Sequence, residues 1–240
     1  DRSMKVAVQF VLISTFLIIG IGISKAYSNY DDLEVKEVPI IPETGNSRWS
    51  YAYWLKLFSM AGIMGRPSLQ FLEIGCFQGK TTSWLLRTVL TDESSHITCI
   101  DTFQGSTDQA PEQKVNMFSI FEENIADYKH KVTVFRGKSS DGLIDEVIRS
   151  QQYDFIYLDA DHRARFALED SVLAFRLLKK SGIMIFDDYW GVPMDDIRSL
   201  NGAKYAIDAF LNIYTGFYHV IDYNYQISIQ RNQRDFDDDY

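Results

Sequence analysis

Carboxylates gather at the ends of short apolar runs in this 240-residue chain. FLEIG ends in Glu73 and Gly75, ITCID in Asp101, FIYLDADH in Asp159, Asp161 and His162, and IMIFDD in Asp187 and Asp188. Taken singly, an acidic residue after such a run caps the helix that follows. Together on one rim they repel, unless a cation or a donor-rich ligand balances them. Asp159, Asp187 and Asp188 offer three oxygen ligands to a hard cation such as Mg²⁺, which keeps positions open for water or substrate. No cysteine or second histidine accompanies them, which disfavours zinc. His162 stands three residues past Asp159 and is a general-base candidate. His96, His130 and His219 lack such company and read as ordinary structural histidines.

The stretch FLEIGCFQGKTT, residues 71–82, reads as a buried strand, a tight turn and a helix start. A dinucleotide site would need a second glycine that lets the backbone approach a pyrophosphate. Phe77 fills that place, which counts against NAD and FAD. The P-loop spacing fails as well, because no glycine stands five residues before Gly79. An adenosine ligand without a pyrophosphate suits this turn better. Asp101, at the end of the second strand, is placed to accept ribose hydroxyls, with capping before Thr102 as the alternative. Ser139 and Ser140 could meet an adenine edge or cap a helix at Leu143.

Alternating strands and helices must position these residues. Strand-like runs cover Leu69–Ile74, Ile97–Asp101, Val132–Arg136, Phe155–Asp159 and Ile183–Asp187, with helical patterns between them near 81–90, 115–128, 143–149 and 167–178. This predicts an α/β fold, a doubly wound parallel sheet with helices on both faces. A helix through 48–65 precedes it, capped by Asn46 or Ser47, and another spans 203–214. Strands at Tyr218–Asp222 and Tyr225–Gln230, separated by two residues, predict an antiparallel addition at the sheet edge.

A net charge of −9 argues against nucleic-acid binding, which needs a basic face. Cys76 and Cys99 fit neither a disulfide framework nor a zinc spacing and read as buried thiols. Val6–Ile23 carries no charge, follows Arg2 and Lys5, and is about long enough to span a bilayer. It is expected to be an uncleaved membrane anchor, with a signal peptide cleaved near Ala26 and Ser28 as the alternative. The expected organisation is an anchor or signal at 1–28, a linker at 29–45, the α/β domain at 46–230, and an acidic tail at 231–240 whose last residues, RDFDDDY, are expected to be frayed. The basic residues before the apolar run favour placing the domain outside the cytoplasm.

With these residues assembled, the chain resembles the class I S-adenosylmethionine-dependent methyltransferases. EIGCFQG is similar to that family's first motif, and RGKSSDGL to its adenine-side loop. DADH together with FDDY is most similar to the metal-dependent O-methyltransferases of the macrocin type; catechol-type relatives have Asp-Asn where this chain has Asp187-Asp188. The resemblance implies a seven-stranded sheet of order 3-2-1-4-5-7-6 with an antiparallel last strand. It implies cofactor contacts at Glu73, Gly75, Cys76, Phe77, Gly79, Asp101, Thr102, Ser139 and Asp159. It further implies Mg²⁺ on Asp159, Asp187 and Asp188, His162 as base beside Asp159, and a small-molecule or sugar hydroxyl as acceptor. Trp49, Tyr51, Trp54 and Trp190 are candidates for the acceptor wall, with core packing the alternative for each. The competing functional readings are an NAD(P)-dependent oxidoreductase on the same architecture and a membrane-tethered, non-catalytic cofactor-binding module. A cofactor made in the cytoplasm conflicts with a domain outside it, so either the cofactor is imported or the orientation is reversed.

Overall fold

A computed structural model describes residues 47–105, 114–190, 202–223 and 225–236. All of them belong to one compact unit, Asn46–Tyr240. The apolar run 6–23 and the linker 29–45 lie outside the described residues. Among the described residues no helix is long and apolar enough to cross a membrane.

Helix α1 (Ser47–Met60) leads into β1 (Gln70–Ile74), α2 (Lys80–Thr88), β2 (His96–Asp101) and α3 (Met117–Asn124). A 3₁₀ segment, Ala126–Lys131, joins α3 to β3 (Val132–Arg136). Then come α4 (Ser139–Ile148), β4 (Tyr153–Leu158), α5 (Ala164–Leu177), β5 (Leu178–Phe186), α6 (Ala203–Ile213), β6 (Tyr218–Tyr223) and β7 (Ile227–Arg231). The sheet order is β3-β2-β1-β4-β5-β7-β6. β1 to β5 pair in parallel, and β7 runs antiparallel to both β5 and β6, as expected. Strand order reverses between β1 and β4, so a crevice opens at their carboxyl ends.

Alternation along each strand divides the core into two layers. Phe71, Phe155, Tyr157 and Ile185 pack with Trp54, Phe58, Trp84, Leu85 and Phe121 from α1, α2 and α3. Leu72, Ile74, Ile156 and Phe186 pack with Leu143, Phe175, Ile207 and Phe210 from α4, α5 and α6. Trp54 and Phe58 are fully buried, each contributing about 1.5–3 kcal/mol through burial. The Trp54 ring meets Tyr157 edge-on at 4.7 Å, and its Nε1 donates to Gln226 Oε1 at 2.8 Å.

Three local expectations need correction. Helix α4 begins at Ser139 instead of Leu143, so Ser139 and Ser140 form its first turn and the extended Lys138 is the cap. Strand β5 begins at Leu178, straight from α5, where Lys179 Nζ bonds Asp154 at 2.7 Å across to β4. The stretch expected to be frayed from Arg234 is docked as far as Phe236. Arg231 ends β7 and is buried, and its guanidinium lies 4.2 Å from the Phe236 ring centre. Phe236 in turn packs against Phe175 and Phe217, so one aromatic side chain docks a segment whose charges suggested solvation.

Candidate active site

The loop after β1 is built by close approach. Gly75 has φ +89°, its N–H donates to Ile100 O at 2.9 Å, and a Cβ there would stand 1.8 Å from the carbonyl oxygen of Asp159. Only glycine fits, and the loops following β1 and β4 therefore touch. Phe77 holds a left-handed conformation, φ +47°, which for a bulky residue costs about 1–3 kcal/mol and marks a constrained site. Its N–H donates to Asp101 Oδ2 at 2.7 Å, while Asp101 Oδ1 accepts from Phe103 N at 2.6 Å. One carboxylate thus clamps the β1 loop to the β2 loop through charge-assisted bonds, and it retains unused lone pairs for further donors. Gly79, the cap of α2, lies against the Phe121 ring, and Asn124 Nδ2 donates to Gln78 O at 2.8 Å. Helix α3 thereby closes the far side of the turn.

Glu73 and Cys76 turn inward. Glu73 is 1% exposed, accepts from Thr82 Oγ1 at 2.6 Å, and is pushed by burial up to about 8, so it is protonated in neutral solution. The Cys76 thiol donates to Glu73 O at 3.3 Å, and burial raises both it and Cys99. These side chains support the loop from beneath and do not face the crevice. Thr102 accepts from Gln104 N at 3.2 Å and shapes the turn after β2.

The second half of the site stands at the ends of β4 and β5. His162 Nε2 lies 2.8 Å from Asp188 Oδ2 and 3.6 Å from Asp159 Oδ1. Ligand atoms of Asp159, His162 and Asp188 fall within 4.8 Å of one another. Asp159 and Asp188 push the imidazole up to about 11, so in this arrangement it is an imidazolium and acts as the counter-charge of the cluster. A protonated ring has no lone pair for the acceptor's proton, so the base role expected of His162 requires it first to give up that proton. Burial, with Asp187 adding repulsion, raises the Asp159 carboxyl to about 7. At Asp188 burial is outweighed by hydrogen bonds from His162 and Tyr225 and by the His162 charge, and the carboxyl falls below its ordinary value.

Asp187, expected as the third oxygen ligand, stands beside this set, close enough to add to the rise of the Asp159 carboxyl. Its carboxylate accepts from the Tyr157 hydroxyl and, at 2.8 Å, from Asp188 N. The convergent trio is Asp159, His162 and Asp188. Tyr157 was missed in the sequence: its hydroxyl also reaches Asp159 Oδ2 at 3.2 Å, so one donor serves two carboxylates. The signal was present, because positions 157 and 159 share a strand face. Tyr225, which donates to Asp188, had no such signal.

The four aromatic candidates separate. Trp54 and Tyr51 are core residues; Tyr51 stacks on Trp84 at 4.5 Å. The Trp49 side chain lies outside the described residues. Trp190 is 37% exposed beside Tyr189 and Tyr223, next in sequence to the Asp188 cluster. Of the three candidates whose side chains are described, it alone stands beside the Asp188 cluster.

Residues 72–189 match a family model described as a methyltransferase domain. Over this span the chain is similar to S-adenosylmethionine-dependent methyltransferases, in keeping with the resemblance read from EIGCFQG and Asp101. The same match supports the methyltransferase reading over the oxidoreductase one. Solved structures share the methyltransferase's fold. An O-methyltransferase from Bacillus cereus in complex with S-adenosylhomocysteine has a TM-score of 0.57 and 17% identity, covering 79% of this chain and 84% of its own. The O-methyltransferase TomG from Streptomyces achromogenes, in complex with S-adenosylmethionine, also has a TM-score of 0.57, with 15% identity over 87% of this chain and 96% of its own. MycE, a methyltransferase of mycinamycin biosynthesis in complex with Mg, S-adenosylhomocysteine and mycinamycin VI, has a TM-score of 0.56 and 13% identity, covering 82% of this chain and 53% of its own. Among curated proteins none matches the chain.

Proposed function

We propose that this methyltransferase methylates a hydroxyl of a small molecule such as a sugar, with Mg²⁺ assisting. The observation that carries this reading is the convergence of Asp159, His162 and Asp188 within 4.8 Å at the crevice, beside the loop clamped by Asp101. The donor set fits both groups. Asp101 keeps lone pairs toward ribose hydroxyls, and the Asp159 and Asp188 carboxylates, with a cation taking the place of the His162 counter-charge, suit a hard ion that retains open positions. The solved MycE complex, which contains Mg together with S-adenosylhomocysteine, supports the same pairing.

S-adenosylmethionine supplies a sulfonium methyl already activated for transfer, and a bound divalent cation lowers the pKa of a nearby hydroxyl. The chain's own residues have the remaining work. The Asp101 clamp fixes the loop that orients the cofactor, since alignment of the reacting atoms is the main barrier to lower. Tyr157 holds Asp159 and Asp187 in place. Asp159, at about 7, and His162 are the groups standing where the acceptor's proton must go.

The test is methyl transfer to a panel of sugar and phenol acceptors, titrated with Mg²⁺. Activity should vanish in EDTA and return with Mg²⁺ or Mn²⁺, while S-adenosylhomocysteine binding survives chelation. Full activity in EDTA would sink the metal assignment. We also infer that the run 6–23 tethers the enzyme to a membrane, because its length and lack of charge suit burial in a bilayer. Full-length protein should resist carbonate extraction; a mature product beginning near Asn29 would replace the anchor by a cleaved signal.

A further inference from the structure

Beside Asp188 the rim of the site is an aromatic corner braced from behind. Tyr189, Trp190 and Tyr223 meet edge to face, with ring centres 5.3, 5.3 and 5.9 Å apart. Tyr189 is buried, whereas Trp190 and Tyr223 are exposed. The Trp190 N–H donates to Tyr225 O at 3.3 Å and the Tyr225 hydroxyl donates to Asp188, so the corner is tied to the acid cluster. Lys204, in the first turn of α6, supplies the brace. Its Nζ donates to the Tyr189 hydroxyl at 2.7 Å and to Asp208 Oδ2 at 2.8 Å, and the Tyr189 hydroxyl donates to Asp208 Oδ1 at 2.7 Å. The same ammonium stands against both rings, 4.0 Å from the Tyr189 centre and 4.9 Å from the Trp190 centre. Ala203 and Ile207, on either side of it in α6, are buried with Phe186 and Tyr189, which fixes the helix against the rim.

Helix stability alone does not ask for this arrangement. A Lys–Asp pair at i,i+4 serves an exposed helix face just as well, yet the Lys204 side chain is only 19% exposed. Lysine leaves water to that extent only where other groups replace its hydration. Two aromatic rings help to do so here, and a cation is drawn to the face of a ring and not to its edge. Contact with Lys204 therefore fixes which way the Trp190 ring faces, and Tyr223, turned 86° from it, fixes the adjoining side. We propose that Lys204 is a positioning residue for methyl transfer, holding Trp190 in the orientation that receives the acceptor. The proposal rests on the reading of Trp190 as the acceptor's wall. Lys204 acts through the indole and not on the reacting atoms.

Steady-state methyl transfer by the full chain, with an acceptor it turns over, tests this. Lys204→Met keeps the apolar stem and removes the charge, so the acceptor KM should rise about threefold while kcat and the S-adenosylmethionine KM hold. Lys204→Arg keeps a cation that can face both rings and should behave as wild type. In a Trp190→Ala chain Lys204→Met should add nothing further, because the two side chains act as one unit. A lysine that only stabilises α6 gives a lower melting temperature and an unchanged KM. That result, or the same rise in KM with and without Trp190, would overturn the proposal. Should Lys204→Met not fold, Lys204→Gln, which still reaches Tyr189 and Asp208 without a charge, takes its place. A second readout needs no turnover. The four tryptophans, labelled with 5-fluorotryptophan, give four fluorine resonances, and Trp190→Phe identifies the one from Trp190. Its shift between H₂O and D₂O measures ring exposure; it should grow in Lys204→Met and stay as it is in Lys204→Arg. No change in Lys204→Met removes the brace. Failure of the methyl-transfer reading shows instead as no turnover in the unmodified chain, so the two failures are distinguishable.

Discussion

The two halves of the active site are made by opposite means. At the β1 and β2 ends, backbone amides of Phe77 and Phe103 meet a single carboxylate, Asp101. At the β4 and β5 ends, Asp159, Asp187 and Asp188 crowd one another, and an imidazolium and two tyrosine hydroxyls restrain them. The first half is a finished binding surface before any ligand arrives. The second half is held in an electrostatically unfavourable state that ligands relieve. Order of assembly follows from the difference: geometry is built into the cofactor side, and charge imbalance into the acceptor side.

The largest expected effect breaks both halves together. Gly75→Ala places a methyl 1.8 Å from the Asp159 carbonyl in a left-handed backbone, so the two loops must separate. Stability should fall by about 3 kcal/mol or more, and calorimetry should find no S-adenosylhomocysteine binding. Wild-type affinity in this variant would show that the loops need not touch.

Asp188→Asn acts on the charged half alone. It should lower turnover roughly 10–100-fold at limiting Mg²⁺, with partial recovery at high Mg²⁺, and leave cofactor affinity within about twofold. Asp101→Ala does the reverse. Two amides lose their acceptor, each worth about 1–3 kcal/mol, so S-adenosylhomocysteine affinity should fall roughly 10–100-fold. Residual turnover at saturating cofactor should keep its Mg²⁺ dependence. If both variants weaken cofactor and metal equally, the division into halves fails.

A smaller effect is visible only in pH. Glu73 is held at about 8 in the fold, well above the 4.5 of a free glutamate carboxyl. The folded chain therefore keeps a proton that the unfolded chain has lost, and stability declines as pH rises from about 4.5 to 8. Glu73→Gln should remove that part of the decline and melt roughly 5–10 °C above the wild type at pH 8.5, with little difference at pH 5. The smallest change concerns the rim. Trp190→Ala should raise the acceptor KM a few-fold and leave S-adenosylhomocysteine binding unaltered.

Much of this comparison was legible in the sequence, and for a physical reason. Glycine turns and acidic strand ends are local statements, so EIGCFQG, Asp101 and the DADH and FDDY ends could be placed before any fold was known. The doubly wound architecture followed from the alternation of short apolar runs with helical ones, and the strand order from the family resemblance. What was hidden depended on side-chain direction and on partners remote in sequence. Asp187 and Asp188 are adjacent, yet one faces Tyr157 and the other His162. Tyr225 reaches Asp188 from 37 residues away. Trp54 looked like a pocket aromatic until packing put it beneath β4.

Gly75 has a consequence for how the enzyme can change over generations. The wall between its two half-sites is one backbone thick on each side, with no side chain to absorb a displacement. Any lineage that reshapes the acid end by shifting the β4 loop also moves the cofactor turn, and the reverse holds equally. New acceptors must therefore be accommodated elsewhere, by exchanging rim residues such as Trp190 and Tyr223, whose exposed faces can vary without disturbing the contact between the loops.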